Sequence, residues 1–180
     1  MSELYRTFIA LKIHPENKLL HIFNELRTTL AGEAIKWVGP ENLHLTLNFL
    51  GDTSEMQLKM VEEILHKTAN HFHPLQFQLR GLGYFKTNGQ PRVLFAGIHN
   101  FELLQQLASD LGNSLSEIGF EEEKRGFKPH LTIARIKFLK NRKLFYSLVE
   151  KFDENEIQSV TITEVVYYQS ILKPAGPAYI

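Results

Sequence analysis

Hydrophobic positions along the chain follow two rhythms, one with the period of a strand and one with that of a helix. YRTFIALKI, residues 5 to 13, is aromatic and β-branched and predicts a strand that His14-Pro15 breaks. From Glu16 to Ala31, the apolar residues Leu19, Leu20, Ile22, Phe23, Leu26 and Leu30 form a helical stripe that stops at Gly32. NLHLTLNFLG, 42 to 51, predicts a strand closed by Gly51. Ser54 to Gln57 reads as a capping box ahead of a helix carrying Leu58, Val61, Ile64 and Leu65. LQFQLRGLGYF, 75 to 85, alternates as a half-buried strand does, and KTNGQP turns at Asn88-Gly89.

The second half repeats the order. RVLFAGI, 92 to 98, predicts a strand, and Phe101 to Ile118 a helix with Leu103, Leu104, Leu107, Leu111 and Leu115 on one stripe. FKPHLTIARIKF predicts a strand, the basic stretch to Lys143 a loop or helix start, and LFYSLVEKF, 144 to 152, a helix. IQSVTITEVVYYQSIL, 157 to 172, reads as one long strand or two, and KPAGPAYI as an irregular tail. The order β-α-β-α-β thus occurs twice. Arg6 and Arg92, Ala10 and Ala96, His44 and His130, and Thr46 and Thr132 are each 86 residues apart. The expectation is a single domain over residues 1 to 180, with halves of about 1–88 and 89–180 related by an internal repeat. Two such halves commonly meet at a pseudo-twofold axis, which sets His44 opposite His130 across a cleft.

Composition narrows the class. A chain of 180 residues with 43% hydrophobic and 22% charged residues buries an ordinary globular core. The formal net charge is zero, which argues against a duplex-DNA binder that works by phosphate neutralisation. With no cysteine, disulfides, thiolate nucleophiles and thiolate metal sites are excluded. No segment has the ~20 apolar residues of a membrane-spanning helix, and the N-terminus reads as a first strand rather than a signal peptide. A soluble, cytoplasmic monomer with no cofactor and no membrane partner is expected.

The chemistry lies in His-apolar-Thr-apolar, written once in HLTL at 44 to 47 and again in HLTI at 130 to 133. Histidine and threonine two apart leave one face of a strand, and chance supplies only about 0.08 such units in a chain of this composition. An imidazole in an apolar strand is costly unless its nitrogens find partners. Two facing imidazoles can serve as general base and general acid near neutrality. Two threonine hydroxyls beside them suit an anionic group that gathers charge in the transition state, such as a phosphoryl. No Gly-rich phosphate loop, carboxylate cluster or metal-ligand spacing accompanies them. The residues therefore favour metal-independent acid–base chemistry on a phosphodiester, and a strained 2′,3′-cyclic phosphate suits one base and one acid.

These segments resemble a known family. HLTLNFLG and PHLTIAR, with RTFIAL at the start, PRVLFAGI before the second copy, YYQSIL and the GPAY tail, are similar to the two-histidine (2H) phosphoesterases. Within them they resemble the bacterial RNA 2′,3′-cyclic phosphodiesterases, also called 2′-5′ RNA ligases. The resemblance implies an α+β, bilobal fold: two pseudo-symmetric lobes, each with a mainly antiparallel sheet flanked by helices, around a central cleft. It implies hydrolysis of RNA 2′,3′-cyclic phosphate ends to 2′-phosphomonoesters without metal, and a reversible 2′-5′ ligation. It also implies that His44 is the proton donor and His130 the proton acceptor, that Thr46 and Thr132 hold phosphate oxygens, and that Arg135 lies near substrate.

Arg135 poses a difficulty. Strict alternation puts it on the face opposite His130 and Thr132, so it reaches the cleft only past a bulge, a strand end or a sheet edge. Its repeat partner is Phe49. Other residues have plainer readings. His66, His71 and His73 read as a solvated helix end rather than a zinc site. Lys124, Arg125 and Lys128 are candidate phosphate contacts in an exposed loop, and Lys137, Lys140, Arg142 and Lys143 a candidate guide for a polynucleotide. Trp37, Phe8, Phe49 and Tyr179 are candidate base-stacking residues, with core packing the default for Phe8 and Phe49. Arg6 and Arg92 are either paired structural links or substrate contacts. Competing functions are a 2H phosphodiesterase for a small nucleotide, such as a cyclic-phosphate ADP-ribose or a 2′-5′ oligoadenylate, and a non-catalytic RNA-end binding module.

Overall fold

Alternating stretches become strands, and helical stripes become helices, close to where the sequence puts them. The computed structural model describes residues 3–121, 126–173 and 176–180; Lys124 and Arg125 lie outside the described residues. In chain order the elements are β1 (Leu4–Lys12), α1 (Asn17–Thr29), β2 (Ala34–Trp37), β3 (His44–Ser54), α2 (Glu55–Ala69), β4 (Leu75–Thr87), β5 (Gln90–His99), α3 (Glu102–Glu117), β6 (His130–Phe138), α4 (Arg142–Lys151), β7 (Glu156–Ile162), β8 (Val166–Lys173) and β9 (Gly176–Tyr179). The expected capping box is formed: the Ser54 hydroxyl accepts from the Gln57 N–H at 3.3 Å, and the Gln57 side chain accepts from the Ser54 N–H at 3.1 Å. Asn88 and Gly89 take φ of 50° and 73°, which fits the tight turn that folds β4 back onto β5.

Three expectations need correction. Gly51 does not close β3, which runs to Ser54; Gly51 takes a φ of +71° beside the unopposed residue Leu50, and pairing with β1 resumes beyond it. The four-residue β2 was not foreseen, because so short a stretch carries little periodicity. The tail is not irregular: β9 pairs antiparallel with β8, and Gln169 and Ile180 exchange backbone hydrogen bonds of 2.7 and 3.1 Å.

The strands form two antiparallel sheets, ordered β3-β1-β8-β9 and β2-β6-β5-β4-β7. Neither sheet belongs to one half of the sequence. β8 crosses back to lie beside β1, just as β4 crosses forward to lie beside β5. Helices α2 and α3 pack against β3 and each other, whereas α1 packs against β7 and α4 against β4. The fold is therefore α+β and bilobal, with the halves of the chain interleaved. Ile9, Leu11, Leu45, Leu94, Leu131 and Ile133 are fully buried on the inward faces of β1, β3, β5 and β6. That leaves the opposite faces of β3 and β6, which carry the two His-x-Thr units, free to form a cleft.

Ser54→Ala removes the hydroxyl half of the capping box. It should lower the unfolding free energy by about 1 kcal/mol, read as a lower urea midpoint at unchanged slope.

Candidate active site

His44 begins β3 and His130 begins β6. Each ring is held in the same way. Nδ1 of His44 lies 2.7 Å from the carbonyl oxygen of Asn42, and Nδ1 of His130 lies 2.8 Å from that of Lys128, in each case the carbonyl two residues back. A carbonyl only accepts, so each Nδ1 carries the proton, and Nε2 is the acceptor nitrogen of each neutral ring. Aromatic rings fix the orientation further. Phe8 and Tyr179 each lie 5.0 Å from the His44 ring centroid, with Tyr168 at 6.1 Å. Phe85 and Phe95 lie 4.8 and 5.6 Å from His130. Thr46 and Thr132 are half-buried and leave the same faces as their histidines.

A bulge resolves the difficulty with Arg135. Leu94 pairs with Ala134 and Phe95 with Thr132, so Ile133 has no partner on β5. An extra residue shifts the phase of a strand. Ile133 and Ala134 are accordingly both buried, and Arg135 returns to the exposed face of His130 and Thr132. The same device stands 86 residues earlier, where Ile9 pairs with Asn48 and Ala10 with Thr46, leaving Leu47 unopposed. Phe49, the counterpart of Arg135, is thereby 56% exposed rather than packed in the core, with the Arg6 guanidinium 5.1 Å from its ring centroid. The repeat is imperfect in pairing: Thr46 faces Ala10, whereas Thr132 faces Phe95, and Ala96 faces Leu131.

Burial holds the His44 imidazole below its ordinary pKa range. The hydrogen bond to Asn42 opposes this, and the charges of Arg135 and His130 add to the lowering. Burial also pushes the Tyr179 phenol up, while Arg135 pulls it down. Arg135 thus acts on two residues of the opposite sheet, His44 and Tyr179, which places its charge at the cleft. Among the described residues, no group of three or more His, Asp or Glu side chains is arranged to hold a metal ion.

Most of the remaining candidates lie elsewhere. Phe8 is buried beneath His44, and Trp37 packs edge-on against Phe23 of α1. The Arg92 guanidinium donates to the carbonyl of Lys137, so Arg6 and Arg92 have different partners despite their repeat relation. Sequence reasoning missed the parts played by Tyr168 and Phe85, which β8 and β4 bring beside the histidines from the other half of the chain. No local signal marks such a crossing. Tyr179 is a base-stacking candidate in the sequence, and the structure sets its ring edge-on to His44.

Comparison with known proteins shows the family. The family model for LigT like phosphoesterases matches residues 11–95 and 99–179. The chain belongs to that family. A relative from Thermotoga maritima, named RNA 2′,3′-cyclic phosphodiesterase, is 36% identical over 97% of this chain and 91% of its own. One of the same name from Methanothermobacter thermautotrophicus is 34% identical over 97% and 94%. Among solved structures, TT0787 of Thermus thermophilus superposes with a TM-score of 0.79 at 30% identity, over 97% of this chain and 93% of its own. Escherichia coli LigT complexed with 3′-AMP has a TM-score of 0.69 at 24% identity over 99% and 95%, a likeness of fold. As a LigT-like phosphoesterase, the chain has the family that its two His-x-Thr units resemble.

Titration of the imidazoles by NMR should place the His44 midpoint below the ordinary value of about 6.5. Arg135→Gln should move it upward, since one cause of the lowering is removed. The sign for stability follows from linkage: the unfolded chain takes up this proton more readily, so the contribution of His44 is lost as pH falls below about 6.5.

Proposed function

We propose that this protein hydrolyses 2′,3′-cyclic phosphate ends of RNA to 2′-phosphomonoesters, using His44 and His130 as an acid–base pair. The observation that carries the reading is the matched anchoring of the two rings: each Nδ1 is bound to the carbonyl two residues back, which reserves each Nε2 for proton transfer. Water attacks phosphorus and gives its proton to Nε2 of His130. The bond from phosphorus to the 3′ oxygen breaks, and Nε2–H of His44 protonates the departing oxygen. One base and one acid are consumed, and proton exchange with solvent resets both. The labels of donor and acceptor follow the family resemblance. A lowered pKa suits His44 as the donor, because its protonated ring is the stronger acid, and the bound anion favours its protonation.

Thr46 and Thr132 donate to the non-bridging phosphate oxygens, and the Arg135 guanidinium balances the charge that develops there. If the 5′-hydroxyl of a second RNA replaces the attacking water, its oxygen bonds to phosphorus as the 3′ oxygen leaves, and the same groups perform 2′-5′ ligation. The 86-residue spacing of the histidines, threonines and bulge residues supports reading halves 1–88 and 89–180 as copies of one unit within a single domain. The reading carries with it a monomer at work in the cytoplasm. Among the described residues, no helix is long and apolar enough to cross a membrane.

In ³¹P NMR, a cyclic-ended oligonucleotide incubated with the protein and EDTA should convert cleanly to a 2′-phosphomonoester, with a bell-shaped pH dependence. His44→Ala and His130→Ala should each cost at least ~10²-fold in turnover, with circular dichroism unchanged. Wild-type turnover in both variants would sink the mechanism.

A further inference from the structure

Lys36 stands directly opposite Arg135 in the β2–β6 ladder, and both are exposed. Directly opposed residues share a face with Cβ atoms ~4.5–5.5 Å apart, and like charges in that relation are destabilising. Among the described residues, the ion pairs are Arg80–Glu154 and Lys151–Glu25, so no carboxylate relieves this pair. Its cost in the free protein is offset when an anion binds across it.

The positive charge continues outward from the cleft. Lys137, two residues beyond Arg135 with the buried Ile136 between them, is exposed on the same side. That step is ~6.6–6.8 Å along a strand. Next comes a pocket of about 190 Å³ lined by Arg92, Lys137, Phe138 and Arg142 among others. Phe138 is 59% exposed there. The Arg92 guanidinium is held in place by the carbonyl of Lys137. Glu33, just before β2, is engaged with the backbone N–H groups of Lys140 and Asn141. Cations that track a backbone, with an aromatic ring open to stacking, are what single-stranded nucleic acid binding requires.

We propose that this face of β2 and β6 binds the sugar–phosphate backbone of single-stranded RNA whose cyclic-phosphate end lies between His44 and His130. The strand runs 5′-ward from Arg135 over Lys36 and Lys137 to the pocket at Arg92 and Arg142, where Phe138 takes a base. The inference rests on the cyclic phosphodiesterase reading and deepens it: the substrate is the end of a polynucleotide rather than a free mononucleotide.

The test is the double variant Lys36→Gln, Lys137→Gln. For it and the wild type, kcat/KM is measured against salt for 2′,3′-cyclic AMP and for a short single-stranded oligonucleotide ending in a 2′,3′-cyclic phosphate. The ratio of oligonucleotide to mononucleotide kcat/KM should fall about tenfold. The log–log salt slope for the oligonucleotide should flatten by ~0.7 for each phosphate that is no longer neutralised. The free variant should melt no lower than the wild type, since a repulsive pair is removed. Equal losses on both substrates, or an unchanged ratio and slope, would overturn the proposal; the second result would leave Lys36 as a guard on an edge strand. Fluorescence anisotropy with a 2′-phosphate-ended oligonucleotide reads the same interactions without turnover. A wild type that turns over neither substrate would refute the phosphodiesterase reading, while the binding comparison would still decide for or against this surface.

Discussion

A strand has a period of two, and that constraint governs this cleft. A regular β6 would offer His130, Thr132, Ala134 and Ile136 on one face and would bury or strand Arg135 on the other. The cleft face carries a cation after the threonine, and the core takes Ile136 after Ile133. Both demands are met by one residue without a partner, Ile133, which lets two consecutive side chains face inward. Leu47 does the same in β3. Without the bulge in β6 the cleft face would hold its histidine and threonine but not Arg135.

The second requirement is that an imidazole in an apolar strand be satisfied on one side only. A partner for both nitrogens would make a structural histidine, and a partner for neither would leave the tautomer free. In both strands the carbonyl two residues back supplies that one partner, so the anchor needs no second side chain and recurs with the motif. The aromatic rings around each histidine come from farther away, and they differ. His44 is covered by Tyr179 of β9, and His130 is flanked by Phe85 of β4 and Phe95 of β5, in each case strands of the histidine's own sheet. Extra cover and the nearby cation lower the pKa of His44.

Much of this was legible in the sequence because it is local. The strands and helices followed from periodicity, the capping box from four residues, and the histidine pair from a repeated triplet. Arg135 was legible as a contradiction: strict alternation excluded it from the face that the family resemblance required. The bulge that reconciles them depends on pairing with β5, which no single strand records. β2 was too short to announce itself, and β9 is a strand only because β8 offers it an edge. The interleaving of the halves was hidden for the same reason. A β-α-β-α-β order says nothing of which sheet the last strand joins.

Where the repeat fails, it fails in a way that gives the cleft a direction. A phosphodiester at the end of RNA is not symmetric: one ribose oxygen leaves, water enters opposite to it, and the chain extends to one side only. A perfect pseudo-twofold would offer the same group to both sides. Here the position after the first bulge is Phe49, with Arg6 over its ring, and after the second it is Arg135, with Lys36 across from it. An aromatic ring on one side and paired cations on the other would distinguish base from phosphate in the proposed substrate. For the proposed reaction the histidines need not differ in sequence for their roles to differ, because Phe49 and Arg135, three positions beyond the threonines, would set which way the substrate lies.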